Sequence, residues 1–359
     1  MTASFDAAAA VVGTLDSTAM AEAAALQGRL TKPAGSLGHL EAVGIRLAGM
    51  AAHCPPPVPT PATVAVFAGD HGVLAEGVTP WPQEVTGQMV ANFVGGGAAI
   101  SVLARQAGAR LVVVDVGVAS NLGALGLDGA PGLIRRRVRA GTGNLAVEAA
   151  MTVDEAARAL DVGAETAAEL IAGGARCLIT GDMGIGNTTP AAALIAALTG
   201  AAPADVTGRG TGIDDATWTR KVAVVERALT LHDSARTQGP RAVLAALGGL
   251  EIAALAGFIV GGAAARVPVI VDGVITDAAL LVAAALVPDV VGFCIAGHRS
   301  AEPGATAVLS FLGLEPLLDL GMRLGEGSGG CLAWPVVEAS ARILGEMATF
   351  DAAGVTEKG

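Results

Sequence analysis

The sequence contains no tyrosine, and phenylalanine and tryptophan together supply only 3% of it. Alanine and glycine make up much of its apolar content, so the core must be closely packed aliphatic material in which helices and strands approach at small residues. Basic residues are also few. The 22 Lys and Arg stand against 33 Asp and Glu, giving a formal net charge of −11, and no basic tract is longer than Arg135-Arg136-Arg137. Nucleic-acid binding needs a basic stripe or aromatic stacking platforms, so both scarcities argue against it. The arginine run is expected on the solvated face of a strand. An anionic small molecule stays open, because a local cradle of backbone N–H groups works inside an acidic protein.

Cys54, Cys177, Cys294 and Cys331 are scattered and form no CxxC, which argues against a zinc knot or disulfide framework and fits a reducing cytoplasm. No basic segment precedes an apolar core near the N-terminus, so no signal peptide is expected. The run Ile252–Ala265 is too short and too rich in Gly and Ala to span a bilayer, which needs about 20 residues, and reads as a buried helix. No GxxxxGK[ST] loop occurs, and no GxGxxG follows a strand convincingly, which disfavours ordinary NTP hydrolysis and dinucleotide binding. Asp70-His71 lacks an accompanying HxxxH or carboxylate set. No metal and no cofactor are expected, and His71 reads as a hydrogen-bonding wall residue.

The length suits one large domain with a satellite. Residues 1–30 are Ala-rich and helical in pattern, a second helix of about 15 residues follows the turn at Thr31–Gly38, and five prolines between Pro55 and Pro61 then mark a boundary. Short apolar runs at Val64–Ala68, Leu111–Val116, Cys177–Thr180, Val267–Val271 and Val290–Ala296 alternate with helical stretches at Gln83–Ala107, Thr152–Gly173, Asp214–Leu231, Leu250–Ala264 and Asp277–Val287. That alternation predicts an α/β fold with a mostly parallel sheet and flanking helices. Beyond about residue 303 the pattern is helical again. The division is therefore residues 1–60 with 303–359 as a small helical domain, and 61–302 as the large domain.

Sites in such sheets lie beyond the strands' carboxyl ends. The residues that follow the strands, Gly69–Gly72, Gly117-Val118, Gly181–Thr189, Asp272-Gly273 and Gly297–Ser300, should share one cleft. Gly181-Asp182-Met183-Gly184-Ile185-Gly186-Asn187-Thr188-Thr189-Pro190 reads as strand, glycine turn and helix start. Such a segment is either an anion cradle or a tight connection with Thr188 or Thr189 as N-cap. Four other loops combine glycine with polar groups: Gly69–Gly72, Gly141–Asn144, Gly208–Gly212 and Gly325–Gly330. Together the five suggest a nucleotide-sized ligand. Asp214-Asp215 reads as a helix cap. Glu326 stands between Gly325 and Gly327, ahead of a helix opened by Pro335; its carboxylate is either solvated or, given the freedom of its neighbours, reaches into a pocket where desolvation raises its pKa toward a useful base.

The ordered set Lys32–Gly38, Ala68–Val73, Pro82–Thr86, Gly181–Pro190, Gly208–Gly212, Gly297–Ser300 and Gly325–Gly329 resembles the nicotinate-nucleotide dimethylbenzimidazole phosphoribosyltransferase family over residues 26 to 348. The resemblance implies a Rossmann-like sheet with a small helical domain from both termini, a homodimer, and no metal. It implies transfer of ribose 5-phosphate from nicotinate mononucleotide to dimethylbenzimidazole with inversion, giving α-ribazole 5′-phosphate for cobalamin. By similarity Glu326 is the base, Thr79, Gln88 and Ser300 lie near the benzimidazole, and Met183, Gly184 and Asn187 hold the nucleotide. Gly210 and Lys221 are placed near its phosphate, with Asp272-Gly273 closing the cleft. Asp182 stands where the family usually has Glu, and Val274 where an aromatic is common, leaving Trp81 as acceptor wall. The acceptor could accordingly be another benzimidazole, a purine or a phenol. A non-catalytic nucleotide sensor is the alternative from another class; a metal-dependent transferase using pyrophosphorylated ribose would need a second acid that Val271-Asp272-Gly273-Val274 lacks.

Overall fold

The computed structural model describes residues 4–356. Six strands, β1 (Ala62–Gly69), β2 (Arg110–Gly117), β3 (Leu133–Arg135), β4 (Cys177–Met183), β5 (Val269–Val271) and β6 (Cys294–Ala296), form one sheet in the order β3-β2-β1-β4-β5-β6. Every adjacent pair is parallel. β1 is buried along its whole length, as a strand covered by helices on both faces must be. The chain winds outward from β1 to β3, then returns to lay β4 on the other side of β1, pairing Val66 with Gly181 and Phe67 with Asp182. Connections diverge where that reversal occurs, and the crevice opens on its β4 side, beyond the carboxyl ends of β4, β5 and β6.

Several expected boundaries shift for physical reasons. β5 begins at Val269 because Pro268 has no N–H and offers only its carbonyl, which accepts from Leu178. Pro288–Phe293 is a 3₁₀ turn opened by proline, and only Cys294–Ala296 is strand. Arg135 ends the edge strand β3 and is exposed. The stretch Gln83–Ala107 is two helices, Glu84–Val94 and Ala99–Ala107, broken at the glycine triplet Gly95–Gly97. By length and composition Glu84–Ala107 could cross a membrane, but neither half approaches the roughly 20 residues a span requires. The helix after β5 starts at Val274, a turn earlier than expected, because Thr276 Oγ1 accepts the Gly273 N–H.

Small residues set the packing. A Cβ on Gly163 would lie 1.8 Å from the Ala254 carbonyl oxygen, and one on Gly257 would lie 2.0 Å from that of Leu160. Helices Val153–Ala172 and Leu250–Ala264 therefore touch backbone to backbone, and the second is buried on all sides. The first carries the expected capping box between Thr152 and Glu155. Residues from both ends of the chain share a separate small core of Ala19, Ala23, Leu30, Ala48 and Leu344. The Ala-rich N-terminal region is two helices, Ser4–Ala9 and Ser17–Arg29. The former packs against helix Val153–Ala172, where Asp161 accepts the Phe5 N–H.

Candidate active site

A cavity of about 400 Å³ opens beyond the carboxyl ends of β4, β5 and β6. Among the residues the sequence singles out, Thr79, Trp81, Asp182, Met183, Gly184 and Asn187 line it. So do Gly210, Lys221, Gly273, Ser300 and Glu326, and Val274 as well. Asp272 lies beneath the lining, fully buried. Gln88 is exposed on helix Glu84–Val94, which turns Val85 and Met89 to the cavity instead. Three of the five glycine loops reach it. Gly69–Gly72 and Gly141–Asn144 pack on each other, with a Cβ on Gly72 only 2.6 Å from the Gly143 carbonyl carbon, so their glycines serve close packing.

Glu326 sits on a strained turn. Gly325, Glu326 and Gly327 have φ of +82°, +65° and +86°, three successive left-handed residues of which only the glutamate carries a Cβ. That conformation costs about 1–2 kcal/mol for an L residue, and Asp272 offsets it. Its Oδ2 accepts the Gly327 N–H at 3.2 Å and its Oδ1 the Gly330 N–H at 2.9 Å, so one carboxylate satisfies donors at the start of helix Ser328–Glu346. With the start fixed there, Pro335 falls inside the helix instead of opening it. Glycine at 181 and 327 lets the turn lie directly on β4, since a Cβ on Gly181 would meet the Glu326 carbonyl oxygen at 2.7 Å. Glu326 is 7% exposed and its Oε2 has no hydrogen-bond partner among the described residues. Burial pushes its carboxyl above the usual range, the Ile100 N–H opposes this, and the Asp272 charge adds to it.

The turn after β4 builds the adjoining wall. Asn187 Nδ2 donates to Asp182 Oδ2 at 2.9 Å. The Asp182 carboxyl is held well above its ordinary range, first by burial and then by the charges of Asp272, Glu251 and Glu326. Neither threonine caps the following helix. Asn187 precedes it, Thr188 is its first residue, and Thr188 Oγ1 is taken by Lys221 Nζ at 2.7 Å. Thr188 is thereby committed to the cavity, whereas Thr189 is fully buried beneath it. By contrast Asp214 does cap its helix, accepting the Thr217 N–H.

Lys221 is 2% exposed, and its Nζ also donates to the Gly208 carbonyl at 3.0 Å. Burial lowers its pKa to about 8, against the opposing charge of Glu302. Arg209 and Arg323 line the same corner together with Glu302, and the Arg209 guanidinium is paired with Asp215. Behind the Gly184 wall, His71 Nε2 meets Glu251 Oε1 at 2.7 Å, both fully buried. A Cβ on Gly184 would lie 2.3 Å from the Gly69 carbonyl oxygen and 3.1 Å from His71 Nε2. His71 thus supports the wall from behind and does not line the cavity. Among the described residues no group of three or more His, Cys, Asp or Glu is arranged to hold a metal.

Glu302 and the Ile100 N–H belong to the site without carrying a motif of their own, and His298 lines it from within the Gly297–Ser300 motif. Three consecutive glycines inside an otherwise helical stretch are the one sequence signal for the Ile100 amide, because they force a new helix start at Ala99.

A family model described as phosphoribosyltransferase (DBI_PRT) matches residues 12–355. The chain is 59% identical over 358 residues to the nicotinate-nucleotide dimethylbenzimidazole phosphoribosyltransferase of Salinispora tropica, covering 97% of this chain and 98% of that protein. It is 52% identical to the protein of the same name from Chloroflexus aggregans, covering 97% and 96%. The crystal structure of the like-named protein from Thermus thermophilus superposes with a TM-score of 0.89 at 47% identity, over 96% of this chain and 100% of that one.

Proposed function

We propose that this chain, which belongs to the nicotinate-nucleotide dimethylbenzimidazole phosphoribosyltransferase family, transfers the ribose 5-phosphate of nicotinate mononucleotide to a benzimidazole for the cobalamin nucleotide. The observation that carries the reading is Glu326: a buried carboxylate with an unpartnered oxygen, in a cavity whose other residues include a lysine and two arginines. The phosphate fits the corner beside the Gly208–Gly212 turn, where the buried Lys221 ammonium is held by neutral acceptors and Arg323 lines the wall. Trp81, Val78, Val85 and Met89 supply apolar surface suited to an aromatic acceptor.

The chemistry needs one base and no acid partner. Nicotinate leaves from a pyridinium, so the C1′–N bonding pair returns to the ring nitrogen as the positive charge is discharged, and no proton is required. One benzimidazole nitrogen uses its lone pair to form the new bond to C1′. Attack from the face opposite nicotinate inverts the centre from β to α. The other nitrogen gives its proton to the Glu326 carboxylate, whose raised pKa brings it nearer to that of the proton donor. A glycosidase-like pair of carboxylates has no role in this sequence. Thr79 and Ser300 orient the acceptor, and Met183, Gly184 and Asn187 hold the nucleotide.

Nicotinate release from nicotinate mononucleotide, followed with and without a benzimidazole and with no added metal, tests the reading. Release only with acceptor is expected; equal release without it identifies a hydrolase. Val274 in the lining, where the family resemblance leads one to expect an aromatic, favours a second reading in which another benzimidazole, a purine or a phenol is the preferred acceptor, and competition among these bases decides it. A homodimer and a cytoplasmic setting belong to the same proposal. The four cysteines are free and three are buried, which suits a reducing compartment, and light scattering tests the dimer.

A further inference from the structure

A carboxylate lining a cavity built for an anion repels its ligand unless its charge is committed elsewhere, and Glu302 is such a carboxylate. It is 5% exposed and stands at the N-cap position of helix Pro303–Leu312, yet its side chain makes no capping bond there. Instead Oε1 accepts the Gly210 N–H at 2.8 Å. The other polar group of Gly210 is held too, since Arg323 Nη1 donates to its carbonyl at 2.6 Å. Gly210 has φ +53°, a conformation that favours glycine. Gly208 is glycine for a different reason: a Cβ there would fall 1.8 Å from Glu302 Oε2. The turn is thus moulded around the carboxylate. Among the described residues Lys221 hydrogen-bonds only neutral acceptors, Thr188 Oγ1 and the Gly208 carbonyl. Of the charged groups around it, Arg209 and Arg323 share its sign, and Glu302 is the one that favours its ammonium form.

We propose that Glu302 is a positioning residue for the phosphate end of the substrate: it shapes the Gly208–Gly212 turn and supplies the negative charge facing Lys221, and so governs affinity for the phosphate-bearing substrate in preference to the rate of the chemical step. The identity of that substrate rests on the transferase reading above; the placement of Glu302 does not.

The test compares wild type, Glu302→Gln and Glu302→Ala by steady-state kinetics with nicotinate mononucleotide at saturating benzimidazole, from neutral to alkaline pH, and by calorimetric binding of ribose 5-phosphate. Gln keeps an oxygen for the Gly210 N–H but removes the charge. It should raise KM by about tenfold, the scale of losing one charge-assisted interaction, with kcat changing far less. Lys221 binds phosphate as the ammonium and loses it as pH rises, so the alkaline fall of kcat/KM and of ribose 5-phosphate binding should begin at lower pH in Glu302→Gln than in wild type. A purely structural brace would not move that limb. Ala should weaken binding further; if it fails to fold, the Gln variant decides alone. Unchanged KM and an unchanged alkaline limb in Glu302→Gln overturn the proposal, as does a fall in kcat at constant KM. A wild type that binds ribose 5-phosphate in a Glu302-dependent way but never releases nicotinate sinks the transferase reading and leaves this one standing.

Discussion

The Gly327 N–H donates to Asp272 at 3.2 Å, and through that bond the residue following β5 grips the turn that carries Glu326. The relationship ties sheet, strain and chemistry together. A glutamate at φ +65° needs its surroundings to hold it, and a second bond from Gly330 to the same carboxylate fixes the helix behind the turn.

Asp272→Asn should therefore affect activity in two ways. The amide has one acceptor oxygen for two N–H donors, so the Glu326 turn loosens and kcat falls by about ten- to a hundredfold, the scale of a small misplacement of a reacting group. Glu326 works deprotonated, and the Asp272 charge helps to raise its pKa. Removing that charge lowers the pKa, so the acid limb of the pH–kcat profile should move to lower pH. A limb that stays in place would show that the two carboxylates do not communicate.

Glu326→Gln removes the proton acceptor with little change of shape. Turnover should drop on the order of 10²-fold or more, the usual contribution of a general base, while binding of nicotinate mononucleotide stays close to wild type because the phosphate corner at Lys221 is untouched. Single-turnover nicotinate release alongside calorimetric binding separates the two. Normal turnover would remove Glu326 from the role of base.

Much of this arrangement was legible in the sequence where local rules govern it. β1, β2 and β4 read as continuous apolar runs because both faces are buried, and the glycine-flanked Glu326 stood out as a carboxylate with unusual backbone freedom. What stayed hidden depends on tertiary partners. Thr188 looks like an N-cap until Lys221 arrives from 33 residues away. Glu302 looks like an ordinary helix-start acid, and only folding brings Gly210, 92 residues distant, to its oxygen. The glycine loops at Gly69 and Gly141 look like ligand cradles, yet their glycines serve backbone contact with one another. Composition announces close approach without saying which loops use it for packing and which for binding.

The same small residues make a stability prediction. Gly163→Ala would place a methyl group 1.8 Å from the Ala254 carbonyl, a backbone atom in a buried helix that cannot swing aside. The two helices must separate, at a cost of about 3 kcal/mol or more. Gly28→Ala, in a helix with nothing within 4 Å of the new Cβ, should instead stabilise by up to about 1 kcal/mol. Urea denaturation of both variants checks the contrast, and equal effects would contradict the backbone-to-backbone contact.

The buried His71–Glu251 pair makes a prediction about stability and pH. Burial alone lowers the His71 pKa, but the charge and hydrogen bond of Glu251 and the charge of Asp70 outweigh it, so the folded value is raised above 6.5. A raised value means that the folded protein holds a proton which the unfolded chain releases near neutrality. The stabilisation is fully present below the unfolded pKa of about 6.5 and is lost as pH rises through the folded one. Asp70 and Asp182 titrate with shifted values as well, so the comparison must be between variants. Glu251→Gln should flatten the fall in unfolding free energy above neutral pH relative to wild type. Glu251→Ala, which leaves His71 buried without its partner, should destabilise by about 3–5 kcal/mol and, by loosening the support behind Gly184, weaken binding of nicotinate mononucleotide. If Glu251→Gln retains the full wild-type pH dependence, His71 is neutral in the folded protein and the pair is an ordinary hydrogen bond.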